Sequence, residues 1–178
     1  MRTLAAAALA VTGGLPWGKT AVALEEEQWL AGGQLAGALV RGPGGFDPGV
    51  GAGLEVQRGL TDLWAARAAV GLDAFRAPAQ RWRRDLWLSL GTSAAFDVLR
   101  TVPFVDLGLV VALADLGGPE GGAARLGLQA GLGADYLIDR DWSFGALLRV
   151  RVLPLSLAGP DLGDGVALAA SLRLARRF

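Results

Sequence analysis

The chain has 178 residues, a formal net charge of zero and a mean hydropathy of +0.39, with no histidine and no cysteine. The length allows one domain. The missing side chains exclude Ser-His and Cys-His nucleophilic pairs, the usual zinc sets and a disulfide framework, and the charge balance excludes a nucleic-acid footprint. No stretch reaches the roughly eighteen uninterrupted apolar residues of a membrane helix, so the hydrophobicity must be spread over short segments.

Residues 1–23 read as a secretory signal peptide: Arg2 gives a positive start, Leu4 to Leu15 an apolar run, and Ala21-Val22-Ala23 a small-x-small site, so cleavage is expected after Ala23. Losing Arg2 and Lys19 would leave residues 24–178 with a net charge of −2. These residues are expected to form one domain.

Eight alternating segments follow, at 28–41, 50–58, 63–75, 84–98, 102–114, 125–138, 142–154 and 165–178. Successive strand side chains point to opposite faces. In the fifth segment Val105, Leu107, Leu109, Val111 and Leu113 share one face, and Phe104, Asp106, Gly108, Val110 and Ala112 the other. In the sixth, Leu126 to Ile138 by twos oppose Gly127, Gln129, Gly131, Gly133 and Asp135. In the seventh, Trp142, Phe144, Ala146, Leu148, Val150 and Val152 oppose Ser143, Gly145, Arg149 and Arg151. The eighth sets Val166, Leu168, Ala170, Leu172, Leu174 and Phe178 against Ala167, Ala169, Ser171, Arg173, Ala175 and Arg177. The pattern predicts an all-β fold: an eight-stranded antiparallel up-and-down transmembrane β-barrel, with the charged faces turned inward.

Links after the second, fourth and sixth segments read as tight, around 60–62, 99–101 and 139–141. Those after the first, third, fifth and seventh read as longer and rich in Gly and Pro, starting at Gly42, Ala77, Gly117 and Ser156. Short turns on one side and longer loops on the other predict both termini at the periplasmic end. Interface-seeking aromatics fit that topology: Trp29, Trp64, Phe96, Tyr136, Trp142 and Phe178 are expected on the periplasmic rim. Phe46, Phe75, Trp82 and Trp87 fall toward the opposite end, where the numbering turns Phe75 and Trp87 inward.

The stretch from Gly131 to Val152, GLGADYLIDRDWSFGALLRVRV, resembles the strand-turn-strand hairpins of small OmpA-like and OmpX-like outer-membrane barrels: an aromatic closes one strand, a short polar turn follows and a Trp opens the next. With Phe178 the resemblance covers essentially all of residues 24–178. It implies that the terminal strand is read by the barrel-assembly machinery through Phe178, Leu174 and Leu172; from the leader and the strands a place in the bacterial outer membrane among lipid and lipopolysaccharide is expected, with the chain a monomer. Arg176 departs from the family, which usually has an apolar residue there, and would have to snorkel to the interface.

The inward acids are then Glu55, Asp73, Asp85, Asp97, Asp106 and Asp135, and the inward bases Arg67, Arg125, Arg149, Arg151, Arg173 and Arg177. Paired, hydrogen-bonded charges are tolerable in a narrow interior whereas isolated ones are not. A network of Arg-carboxylate bridges is therefore expected, with Gln34, Gln57, Gln129 and Ser171 filling a lumen that eight strands leave small. Acids early and bases late suggest pairing between neighbouring first and last strands.

No cofactor or metal is expected: Asp161 and Asp164 lack the dense ligand spacing of a calcium site, and the Gly117 cluster lacks a phosphate-binding context. The carboxylates read as bridges rather than acid-base pairs, so enzyme activity is not expected. Arg76, Arg81, Arg83 and Arg84 flank the second outer loop as candidate contacts for lipopolysaccharide phosphates. The leading functional reading is a structural or interfacial barrel serving envelope integrity or adhesion. One alternative is a narrow channel or transporter for small solutes. Another is a soluble periplasmic ligand-binding barrel, which would reverse the polarity of the two faces.

Overall fold

A computed structural model of the chain describes residues 26–42, 45–76, 82–96, 100–114, 122–158 and 165–178. The predicted leader, Arg81 and Asp97 lie outside these residues. Eight strands follow in chain order: β1 (Trp29–Gly42), β2 (Gly45–Gly59), β3 (Trp64–Arg76), β4 (Trp82–Ala95), β5 (Thr101–Ala114), β6 (Ala123–Leu137), β7 (Trp142–Ala158) and β8 (Gly165–Arg177). Each pairs antiparallel with its neighbours in sequence, and β8 pairs with β1 to close the barrel. The closure runs to the last residue: Phe178 donates its N–H to the Trp29 carbonyl at 2.9 Å and accepts from the Trp29 N–H at 3.3 Å.

Two turns repeat one device. In the β2–β3 turn, Thr61 Oγ1 accepts the N–H of Trp64 at 3.0 Å, and in the β6–β7 turn Asp139 Oδ1 accepts that of Trp142 at 2.7 Å. A short polar side chain that folds back on the backbone fixes each turn and sets a tryptophan at the start of the next strand.

Three elements depart from the expected bounds by more than two residues, among them β4, which spans Trp82–Ala95 rather than 84–98. β2 begins at Gly45 rather than residue 50, so the link after β1 is the shortest on its side instead of a long loop; Gly42 already pairs with Gly45. Pairing with β3 starts only at Gly49, so Pro48 lies where β2 is an edge strand, which tolerates proline. β7 runs to Ala158 rather than 154. Its register against β6 shifts between Leu126 and Leu128, and Pro154 falls within that irregularity, where the missing N–H breaks no ladder bond.

The register sets the size of the barrel. Paired residues followed around the sheet, Leu39, Leu168, Val150, Ala130, Leu107, Thr92, Ala66, Arg58 and Trp29, return to β1 ten residues below the start. With a rise of about 3.3 Å per residue and strands about 4.8 Å apart, this stagger gives a tilt of roughly 40° and a backbone radius of roughly 8 Å. Each residue then climbs about 2.5 Å along the axis.

Applied strand by strand, that climb brings Trp29, Trp64, Phe96, Tyr136, Trp142 and Phe178 to within about 5 Å of one level at the end carrying the turns and both termini. All six are exposed. Arg41, Phe46, Arg76, Trp82 and Arg84 lie about 30 Å higher, at the loop end, and are exposed too. Between the two levels the outward face carries no charged residue among those described, and the large exposed side chains there, such as Leu35, Leu54, Leu88, Leu107, Leu128 and Leu148, are apolar. The resulting apolar belt matches the band of about 25 Å expected of a barrel in a bilayer.

Candidate functional site: the charged lumen and its two rims

The strand period sends the polar residues inward. Glu55, Arg67, Asp73, Asp85, Asp106, Arg125, Asp135, Arg149, Arg151 and Arg173 are buried, as are Gln34, Gln57, Gln129 and Ser171, and Arg177 is half-buried at the turn end. A soluble barrel with a greasy interior is thereby contradicted, because the charged face lines the lumen and the apolar face is outside.

The lower lumen holds one connected network. Arg67 donates from Nε and Nη2 to Glu55 Oε2 at 3.2 and 2.8 Å, and its Nη1 lies 3.7 Å from Asp106 Oδ2. Arg173 Nη2 stands 2.9 Å from Glu55 Oε1 and 3.3 Å from Asp135 Oδ2, with the guanidinium 4.9 Å above the Phe104 ring. Arg149 donates to Asp106 Oδ2 at 3.3 Å and to Gln34 Oε1 at 3.4 Å. Gln57 accepts from Ser93 at 3.2 Å.

Higher up, Arg151 on β7 donates to Asp73 on β3 at 2.6 Å. With eight strands these two stand on opposite walls, so the bridge spans the bore. The Arg151 guanidinium also lies 4.0 Å from the centre of the Trp87 ring, and Trp87 is itself buried among Ala69, Val110, Ala112 and Leu153. Phe75, Ala38, Val40 and Ala167 pack together near the loop end.

Of the links between non-adjacent strands only Arg151–Asp73 joins opposite walls, and the others each reach over one intervening strand. Glu55 on β2 meets Arg173 on β8, Asp106 on β5 meets Arg67 on β3 and Arg149 on β7, and Asp73 meets Arg151. The expected pairing of early acids with late bases is seen in Glu55–Arg173 and Asp73–Arg151, but the first reaches over β1 and the second across the bore, so the partners are not on adjacent strands. At a radius of roughly 8 Å an arginine and a carboxylate suffice to bridge opposite walls.

Inward glycines complete the interior. A Cβ added at Gly51 would strike Asp73, at Gly131 Asp106, at Gly145 Asp135 and at Gly71 Trp87, each the paired or adjacent residue on the next strand. The missing side chain gives each bulky or charged neighbour the space to lie across the wall. Only the register reveals this role, since alternation alone marks such glycines as lumen-facing and no more.

The outer basic loop needs a correction. Arg83 shares the inward face of β4 with Asp85 and holds it through two bonds, Nε to Oδ1 at 2.8 Å and Nη2 to Oδ2 at 2.7 Å. It therefore belongs to the mouth of the lumen and does not face lipid. Arg76 and Arg84 remain outward and exposed. Arg41, which the sequence reading did not single out, joins them at the same height. The expected equality of inward charges shifts accordingly: among the described residues Arg83 adds a base, while Asp97 is not among those described.

At the turn end, Arg176 is exposed and stacks between two rings, 5.7 Å from the centre of Trp142 and 5.4 Å from that of Phe178. Arg58 lies 5.7 Å from the Trp29 ring. The arginine that departs from the usual terminal pattern thus has a place at the aromatic level. Phe178, Leu174 and Leu172 are outward and exposed.

No family model matches the sequence, and no curated protein matches it. Solved structures do. Neisserial surface protein A is similar over 86% of this chain and 100% of its own, with a TM-score of 0.62 at 20% identity. Ail, the attachment invasion locus protein of Yersinia pestis, is similar over 86% of this chain and 99% of its own, with a TM-score of 0.60 at 15% identity. The outer membrane enzyme PagL is similar over 80% of this chain and 97% of its own, with a TM-score of 0.53 at 14% identity. The chain has the fold of the small eight-stranded outer-membrane barrels, a fold shared by an attachment invasion locus protein and an enzyme alike.

Proposed function

We propose that the protein is a structural or interfacial barrel of the bacterial outer membrane, released from its leader after Ala23, with both termini at the periplasmic end and the lumen closed to solutes. The observation that carries this reading is the Arg151–Asp73 bridge between opposite walls, with Trp87 stacked beside it, above a second layer formed by Glu55, Arg67, Asp106 and Arg173. A bridge across the bore above a charged layer, at a backbone radius of roughly 8 Å, is expected to obstruct a hydrated ion. The barrel then serves by occupying the envelope and presenting short links for adhesion. Its membrane contact is the apolar belt, and the outward residues Phe178, Leu174 and Leu172 are the surface offered to the barrel-assembly machinery.

Fractionation of cells expressing the full chain, with heat-modifiable migration on gels, tests the placement. Planar-bilayer recording of the purified barrel tests the closed lumen. Recovery in the outer-membrane fraction and an electrically silent bilayer are expected. Steady ion-selective openings would replace this reading with that of a narrow channel.

A further inference from the structure

The lumen charges around Trp87 fall into two sets that share no hydrogen bond or ion pair among the described residues. The lower set is a chain in which acids and bases alternate: Asp135, Arg173, Glu55, Arg67, Asp106 and Arg149, each within 3.7 Å of the next. The upper set is Arg151 with Asp73. By the register, Asp73 and Asp106 stand about 14 Å apart along the barrel axis. Arg149 ends the lower chain and Arg151 belongs to the upper bridge, yet the two occupy successive inward positions of β7, where like charges repel. The ring both reach is that of Trp87, whose centre lies 5.8 Å from the Arg149 guanidinium and 4.0 Å from that of Arg151.

No hydrogen bond holds that ring. Its Nε1 is buried and has no partner among the described residues. Its place comes from a slot in the wall, since a Cβ at Gly71 on β3 would strike it and one at Gly53 on β2 would lie 3.2 Å from it. Packing and two cations therefore set its position, and each cation is anchored to a different set. We propose that Trp87 joins the two sets into one cooperative unit, so that the upper bridge and the lower chain form and break together. The negative face of the ring offsets the repulsion between the two guanidiniums. When Arg149 loses Asp106 the ring loses one of its two holds, loosens in the slot and weakens the grip of Arg151 on Asp73. Such coupling needs only these contacts, whether or not ions pass through the lumen.

Double-mutant cycles on the full-length barrel in lipid vesicles, read by urea titration, test it. Asp73→Asn and Asp106→Asn are made singly and together, in the wild-type chain and again with Trp87→Leu. Sites this far apart with no shared partner act independently to within about twofold in the folding equilibrium. In the wild-type chain the double variant is instead expected to lose about tenfold less than the product of the single losses, because the first break has already weakened the second contact. With Trp87→Leu the single losses are expected to multiply to within about twofold. Trp87→Phe, which keeps a flat ring with a weaker pull on cations and serves where Trp87→Leu does not fold, is expected to fall between the two. Independent losses in the wild-type chain would overturn the proposal. So would equal coupling with and without the indole, which would assign the link to the β7 backbone. Bilayer recording bears on closure alone, so a conducting barrel with intact coupling would remove the closed lumen and leave Trp87 its role.

Discussion

Glu55 is the acid on which the lower lumen turns. Its carboxylate has no exposed surface and is shared by Arg67 and Arg173, at 2.8 and 2.9 Å. In Glu55→Gln the shape survives and the charge does not. Removing one partner from a buried ion pair costs about 3–5 kcal/mol. Here the two arginines keep weaker company, Arg67 with Asp106 at 3.7 Å and Arg173 with Asp135 at 3.3 Å, so the lower end of that range applies. A loss of about 3 kcal/mol, somewhat over a hundredfold in the folding equilibrium, is expected. Urea titration of the barrel in lipid vesicles, followed by tryptophan fluorescence and by heat-modifiable migration, measures it. A loss below about 0.5 kcal/mol would mean that water solvates these charges and that the network does not close the lumen.

Three further outcomes are expected in the same assay. Leu107 stands midway up the belt and Leu113 near its loop-end margin, so Leu107→Arg is expected to cost about 2–4 kcal/mol and Leu113→Arg about 0–1 kcal/mol; equal costs would refute the assigned heights. Gly131→Val forces a side chain into the space of Asp106 and is expected to cost about 1–3 kcal/mol, whereas the same change at outward Gly37, where a Cβ meets nothing within 4 Å, is expected to be neutral or stabilising. Arg67→Lys keeps the charge but loses the fork that holds Glu55 and reaches toward Asp106, and a loss of about 1–2 kcal/mol is expected; full retention would show that a point charge suffices.

Alternation made the strands and the polarity of the barrel legible, because a period of two assigns a face whether or not the partner strand is known. It could not supply the partners. That Arg151 meets Asp73 depends on which strands stand opposite each other and on the ten-residue stagger, and both follow from pairing between strands far apart in sequence. The same limit explains Arg83. Taken as one of a run of loop arginines it looked outward, but the strand begins at Trp82, and once the period reaches Arg83 it must share the face of Asp85. Proline misled at one margin: Pro48 fell in the loop expected after the first segment, whereas an edge segment lets β2 run through it; β7 likewise runs past Pro154, where its segment was expected to end, through a register shift.

Apart from Lys19 in the expected leader, every basic residue of the chain is arginine. Three environments draw on different properties of that side chain. In the lumen the fork lets Arg67 hold Glu55 while reaching Asp106, and Arg173 lie near both Glu55 and Asp135, so few cations tie several acids into one body. At the turn-end rim the flat, weakly hydrated face stacks on Trp29, Trp142 and Phe178, which places a cation at the membrane boundary without full exposure to water. At the loop end the same fork faces outward beside exposed rings. A lysine would keep the charge in each place but lose the bridging, the stacking or the two-point grip, so the bias toward arginine fits the bridged lumen and the two rims together.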